Sequence, residues 1–175
     1  MAAVAMDLKF LPLDKNHALA LFTWHYDPPY EGYNFSPTTI EDDLTYLLNP
    51  RNAFYAILNP DGELEGYCSF GTDGQVPGGS YPPGALDIGM GIRPDLTGQK
   101  RGVQYAQAVV QYGRACYGAS ILRVTIAAFN QRAQRVWQKL GFEPVGTFMK
   151  RGSQDQFLIM SRDYTNSTGL RSFIC

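Results

Sequence analysis

Hydrophobic positions repeat with one period in the first third of the chain and with a different one beyond it. After Asp14, a candidate N-cap, Ala18, Leu21 and Trp24 recur at helical spacing and predict a first helix. A second helix is predicted from Ser36-Pro37, a capping residue followed by a first-turn proline, through Ile40, Leu44 and Leu47. Asn49-Pro50 ends it, because proline disfavours helical backbone in the residue before it. Between these helices, His25 to Tyr33 is rich in aromatics and prolines and reads as a loop.

The period then falls to two. Ala53 to Leu58 and Leu64 to Phe70 predict strands joined by the turn Asn59-Pro60-Asp61-Gly62. Residues 71–84, full of glycine and proline, predict a long surface loop. A strand from Ala85 to Arg93 is stopped by Pro94, and the segment from Gly98 to Tyr117 carries Val103, Ala106, Val109 and Val110 on one helical face. Ile121 to Phe129 predicts a strand, and Asn130 to Leu140 a short helix with Ala133, Val136, Trp137 and Leu140 inward. Two strands close the chain near Phe142–Met149 and Gln156–Ser161, and another is expected near Leu8–Leu11. Strands joined by both hairpins and helices predict an α/β (α+β) fold, a mixed sheet flanked by helices.

Composition narrows the function. A chain of 175 residues fits one domain, expected over residues 1–163, with residues 164–175 as a C-terminal tail. The net charge of −1 gives no reason to expect a nucleic-acid partner. The apolar start, Met1 to Met6, is too soon interrupted by Asp7 for a signal peptide, and no run is long enough to span a membrane. Cys68, Cys116 and Cys175 are odd in number and far apart, which argues against a disulfide framework and for a reducing, cytoplasmic setting. Cys116 is expected as a small buried hydrophobe within its helix. His17 and His25 lack partners at ligand spacing, so no metal is expected.

Residues 85–103 carry the most chemistry. Strand alternation puts Ile88, Met90 and Ile92 on one face, and Asp87, Gly89, Gly91 and Arg93 on the other. Two alternate glycines leave a groove for a backbone or a ligand. Beyond Pro94 a helix start with Gly98, Lys100, Arg101 and Gly102 suits a diphosphate, since the first helical turn presents free N–H groups and a favourable dipole. The same residues also fit a plain glycine turn with solvated charges.

This segment, Arg93-Pro94-Asp95-Leu96-Thr97-Gly98 and the helix after it, resembles the acetyl-CoA-binding segment of the GNAT N-acyltransferases. Their Gln/Arg-x-x-Gly-x-Gly/Ala signature falls on residues 97–102. Asn130-Gln131-Arg132-Ala133 through Trp137 to Gly141-Phe142 resembles the family's second segment, Asn-x-x-Ala-x-x-x-Tyr-x-x-x-Gly-Phe. The match covers residues 85–148 closely. It departs at Thr97 for Gln/Arg, at Lys100 for a glycine, and at Trp137 for a tyrosine that in many relatives protonates the departing thiolate.

The resemblance implies a GNAT fold with a mostly antiparallel sheet, and transfer of acetyl from acetyl-CoA to an amine by direct attack. It implies a cofactor site on Gly91, Ile92 and Arg93, on Gly98, Gln99, Lys100, Arg101, Gly102 and Val103, and on Asn130 and Trp137. The N–H groups of Gly91 and Arg93 are the expected donors to the pantetheine or the thioester. Asp87 lies on the strand where relatives often carry a base, and is the candidate catalytic base; a structural carboxylate is the alternative. Arg132, Arg135 and Lys139 fall on one stripe and read as a solvated basic face, with contact to the 3′-phosphate of CoA as the alternative. Trp24, Tyr26, Tyr30, Glu31 and Tyr33 form a candidate amine-acceptor wall, or else a loop packed on the core. A non-catalytic acyl-CoA sensor remains the competing reading, and a homodimer is left open.

Overall fold

The alternating segments assemble, in the computed structural model, into a single sheet with both faces covered. Residues 5–175 are described, so part of the apolar start from Met1 lies outside them. The strands are β1 (Lys9–Pro12), β2 (Phe54–Leu58), β3 (Leu64–Phe70), β4 (Leu86–Ile92), β5 (Ile121–Ala127), β6 (Glu143–Met149) and β7 (Gln156–Asp163). They lie in the order β1-β2-β3-β4-β5-β7-β6. Every neighbouring pair is antiparallel except β4 and β5, which run parallel because a helix intervenes between them.

Helices α1 (Lys15–Leu21) and α2 (Ile40–Leu48) cover one face, and α3 (Gly102–Tyr117) and α4 (Gln131–Lys139) cover the other. Strand β2 shows how the period of two serves both layers. Its Ile57 joins the core under α3 and α4, with Ile88, Tyr105, Val109, Leu122, Trp137 and Met160. Its neighbours Ala56 and Leu58 join Leu21 and Leu47 on the opposite side. Asp14 caps α1 as expected, its carboxylate accepting the His17 N–H at 2.9 Å.

The helix starts differ from the sequence reading for identifiable reasons. Helix α2 begins at Ile40, because Ser36 and Pro37 belong to a turn closed by Thr39 N–H to the Ser36 carbonyl at 3.2 Å. Helix α3 begins at Gly102 instead of Gly98. Gly98 and Lys100 have φ of +73° and +61°, left-handed values that no α-helix contains.

The cysteines require a correction. Cys116, near the end of α3, and Cys175 are bonded as a disulfide, 59 residues apart in sequence. The tail crosses to α3 and sets Phe173 edge-on against Phe10 and Tyr112. Wide spacing argued against a pair only while the tail's course was unknown. Cys68 is buried and free. Disulfides persist in oxidising surroundings, so the cysteines give no support to a reducing compartment. No helix among the described residues is long and apolar enough to cross a membrane.

Candidate active site

Strands β4 and β5 start together and then part. They pair at Leu86↔Leu122, Asp87↔Arg123 and Ile88↔Val124, and no further, although β4 runs on to Ile92 and β5 to Ala127. The opposite edge of β4 stays paired with β3 throughout. Between the parted strands lies a gap walled by backbone.

The ladder decides which backbone groups face that gap. Arg93 N–H donates to the Glu65 carbonyl at 2.8 Å, and Gly71 N–H donates to the Asp87 carbonyl at 2.9 Å, so odd-numbered residues of β4 turn their polar groups to β3. Gly91 shares that parity. The N–H groups of Met90 and Ile92 therefore point into the gap, and the expectation for Gly91 and Arg93 is displaced by one residue. The Arg93 side chain is also turned away, held by Asp95 at 2.7 Å and by the Leu64 carbonyl at 2.9 Å. This pairing holds the Asp95 carboxyl below its ordinary range.

Beyond β4 the chain turns through Pro94–Leu96 into α3. Thr97 Oγ1 donates to the Pro94 carbonyl at 2.6 Å, and the Gln99 amide donates to the Asp95 carbonyl at 2.7 Å, which ties the turn to itself. Arg101 stands at the N-cap of α3 without a side-chain cap hydrogen bond, and the first turn holds no acidic residue. The first N–H groups of α3 thus present positive polarity to a ligand position, while the Arg101 guanidinium lies over the Tyr105 ring at 5.6 Å and donates to Met6 Sδ at 3.7 Å. Gly102 packs against α4, where an added Cβ would come within 2.9 Å of Val136 Cγ2.

Lys100 holds a left-handed backbone, which in a non-glycine residue costs about 1–2 kcal/mol. Replacing it with glycine removes that cost but enlarges the unfolded ensemble. Lys100→Gly is expected to raise stability by about 0.5–1 kcal/mol, read by thermal unfolding. If this turn holds the diphosphate that the sequence resemblance implies, the lost charge weakens acetyl-CoA binding by about 2–5-fold at low salt, read by calorimetry.

Asn130 caps α4, accepting the Ala133 N–H at 3.0 Å, and donates its amide to the Tyr33 hydroxyl at 3.1 Å. Across the end of the gap, the Tyr26 hydroxyl donates to the Ile92 carbonyl at 2.7 Å. The aromatic loop is therefore fastened to both β4 and α4. Tyr30 lies under the Arg132 guanidinium at 4.2 Å, so Arg132 is engaged with this loop and is not simply solvated. Glu31 is exposed, and Trp24 packs on Tyr67. Burial raises the hydroxyl pKa of both Tyr26 and Tyr33 and keeps them protonated. Trp137 is 4 % exposed and packs edge-on against Phe142, which places it in the core.

Asp87 is not free. It is 3 % exposed, and its two oxygens accept Arg123 Nε at 2.6 Å and Arg123 Nη2 at 2.8 Å. The Gln75 amide adds a third bond at 2.9 Å. Hydrogen bonding to Asp87 raises the Arg123 pKa, so the guanidinium is a permanent partner. These contacts favour the structural alternative for Asp87 over a proton acceptor.

The glycine face of β4 meets a different carboxylate. Gly89 lets Ser69 and Asp73 approach, since a Cβ there would lie 3.0 Å from Asp73 Oδ2 and would collide with Ser69 Oγ. At Gly91 a Cβ would run into the Tyr67 ring. Asp73 accepts the Ser69 hydroxyl at 2.5 Å and the Tyr46 hydroxyl at 2.9 Å. A cleft of about 450 Å³ opens there, bordered by Tyr33, Asp43, Tyr46, Tyr67 and Asp73. Burial, with the Asp73 charge beside it, pushes Tyr67 up to about 12.

A parted parallel pair next to an uncapped helix start is one observation, and comparison supplies the other. Residues 7–143 match the family model described as an acetyltransferase (GNAT) domain. The chain belongs to the GNAT acetyltransferase family. Similar solved structures include a GNAT-family acetyltransferase from Bacillus anthracis, at 16% identity over 91% of this chain and 96% of that one, with a TM-score of 0.71. A spermidine N-acetyltransferase SpeG chimera from Vibrio cholerae and hSSAT matches at 14% identity, over 91% and 96%, with a TM-score of 0.70. Aminoglycoside acetyltransferase AAC(6')-Ib in complex with coenzyme A matches at 18% identity, over 90% and 95%, with a TM-score of 0.70. No curated protein matches the chain significantly.

Within this GNAT domain, Asp43, Tyr46, Tyr67, Ser69 and Asp73 gather at or beside the cleft and are candidate residues that the sequence did not single out. A weak signal existed for two of them. Asp43 and Tyr46 are spaced by three on α2, so they share a face there. Asp73 had none, because a loop has no period to aim a side chain.

Proposed function

We propose that this GNAT acetyltransferase moves the acetyl group from acetyl-CoA to a primary amine by direct attack in a ternary complex. The parting of β4 from β5 beside the uncapped start of α3 carries this reading. Those features fit the cofactor: the N–H groups of Met90 and Ile92 suit its amide and carbonyl oxygens, and the start of α3 with Lys100 and Arg101 suits its diphosphate. Asn130, at the start of α4, braces Tyr33 on the border of the cleft. When bound, acetyl-CoA supplies an activated thioester carbonyl.

The chain's own residues then do three things. Met90 or Ile92 N–H polarises the carbonyl, a contribution typically worth a few kcal/mol for preorganised donors. The cleft on the glycine face of β4 admits the amine. Tyr33, bonded to Asn130 and bordering the cleft, is a protonated hydroxyl available as a donor, whereas Trp137 is buried in the core and offers no acid.

Thiol release on mixing the protein with acetyl-CoA and a panel of primary amines tests the reading. Intersecting initial-rate lines, from varying both substrates, support a ternary complex. Saturable acetyl-CoA binding without thiol release from any amine contradicts it and leaves a non-catalytic binder.

A further inference from the structure

The cleft beside Tyr67 and Asp73 carries more negative charge than a single amine needs. Asp73, on the turn Thr72–Gly74, and Asp43, on α2, border the same space from two sides. Both are half-buried. Among the described residues, no lysine, arginine or histidine nitrogen comes within 4.0 Å of either one. The hydroxyl donors are Tyr46 and Ser69 to Asp73, and Thr39 to Asp43 at 2.6 Å. Neutral donors satisfy part of each carboxylate and leave its charge uncompensated, which in a half-buried cleft favours an incoming cation.

Their placement differs in a way that separates two roles. Asp73 Oδ2 stands over Gly89, and the next residue, Met90, directs its N–H into the acyl gap. Asp43 lies one helical turn before Tyr46, whose hydroxyl reaches Asp73. The aromatic rings of Tyr33, Phe35, Phe54 and Tyr67 fill the wall around them and suit an aliphatic chain or a cation.

Building on the transferase reading, we infer that the acceptor is an aliphatic dication, with Asp73 binding and deprotonating the reacting ammonium while Asp43 holds the second charge. The reacting nitrogen arrives as ammonium and loses one proton to the Asp73 carboxylate. The neutral nitrogen forms the bond to the acetyl carbon as the carbon–sulfur bond breaks. Of the two protons the nitrogen sheds in all, one ends on the thiolate sulfur and the other leaves for solvent. Tyr46, bonded to Asp73 and 46 % exposed, offers the route outward.

The groups that face Asp73 are Tyr46 from α2, Tyr67 and Ser69 from β3, and Gly89 from β4, with Asp43 in the same cleft. No cation is among them. The test compares 1,4-diaminobutane with n-butylamine, by thiol release, in the native protein, Asp73→Asn and Asp43→Asn. The native protein is expected to favour the diamine by about tenfold or more in kcat/KM. Asp43→Asn is expected to bring the diamine down toward the monoamine.

Asp73→Asn is expected to lower kcat for both amines by about 100-fold or more, with a rate that climbs as pH rises toward the amine's own ionisation. Unchanged acetyl-CoA affinity by calorimetry shows that each variant is folded. Thiol release that favours the monoamine, or that ignores Asp73→Asn across pH, overturns the inference and leaves the transferase reading intact. No thiol release with any amine overturns both.

Discussion

Gly102→Glu is expected to weaken acetyl-CoA binding by about 100-fold or more, close to 3 kcal/mol, while the protein stays folded. Two effects act together. The new Cβ sits 2.9 Å from Val136 Cγ2 whatever the rotamer, so the end of Val136 must give way, and the carboxylate beyond it is set at the start of α3. A carboxylate there opposes the diphosphate, and like charges at 4 Å repel by about 4 kcal/mol at the effective dielectric of a protein surface. The helix itself tolerates the change, because an acidic residue in the first turn complements the dipole. Gly102→Ala separates the effects: it meets the flexible end of Val136 without adding charge, and a loss of only a few fold is expected. Calorimetry reads both, and equal affinity in Gly102→Glu would place the cofactor elsewhere.

Asp87→Ala is expected to destabilise the fold by about 3–5 kcal/mol, the usual cost of leaving one member of a buried ion pair alone. Arg123, 6 % exposed, would keep the Pro82 carbonyl at 3.0 Å and the Tyr81 ring at 5.0 Å but lose its counter-charge. The pair joins β4 to β5 where they run together, just before they part. It also anchors the long loop through Gln75 and Pro82. Chemical denaturation reads the loss. Activity per folded molecule separates the two roles, because a base would lower kcat by about 100-fold or more with little effect on unfolding.

Side-chain period was enough to outline the fold, and the same period explains what was missed. Ile88, Met90 and Ile92 do face the core under α3, and Gly89 and Gly91 do line the other face. Alternation of side chains, however, says nothing about which edge of the strand a backbone N–H faces. That depends on pairing with β3, and it moved the expected donors from Gly91 and Arg93 to Met90 and Ile92.

The Asp87 partner was partly legible. Arg123 is the one charged residue in the strand Ile121–Ala127, and a buried charge needs a counter-charge. Only the parallel register sets the two side by side. Asp73 and the Cys116–Cys175 bond depend on the course of a loop and a tail, for which the sequence carries no period.

The central claim is that the space between the parted strands and the start of α3 holds an acyl-CoA. Calorimetric titration of the protein with acetyl-CoA, with ATP as the control, addresses it. The account predicts saturable micromolar binding of acetyl-CoA that weakens as salt rises, and no comparable heat with ATP. Absence of acetyl-CoA binding, or equal binding of ATP, would contradict it.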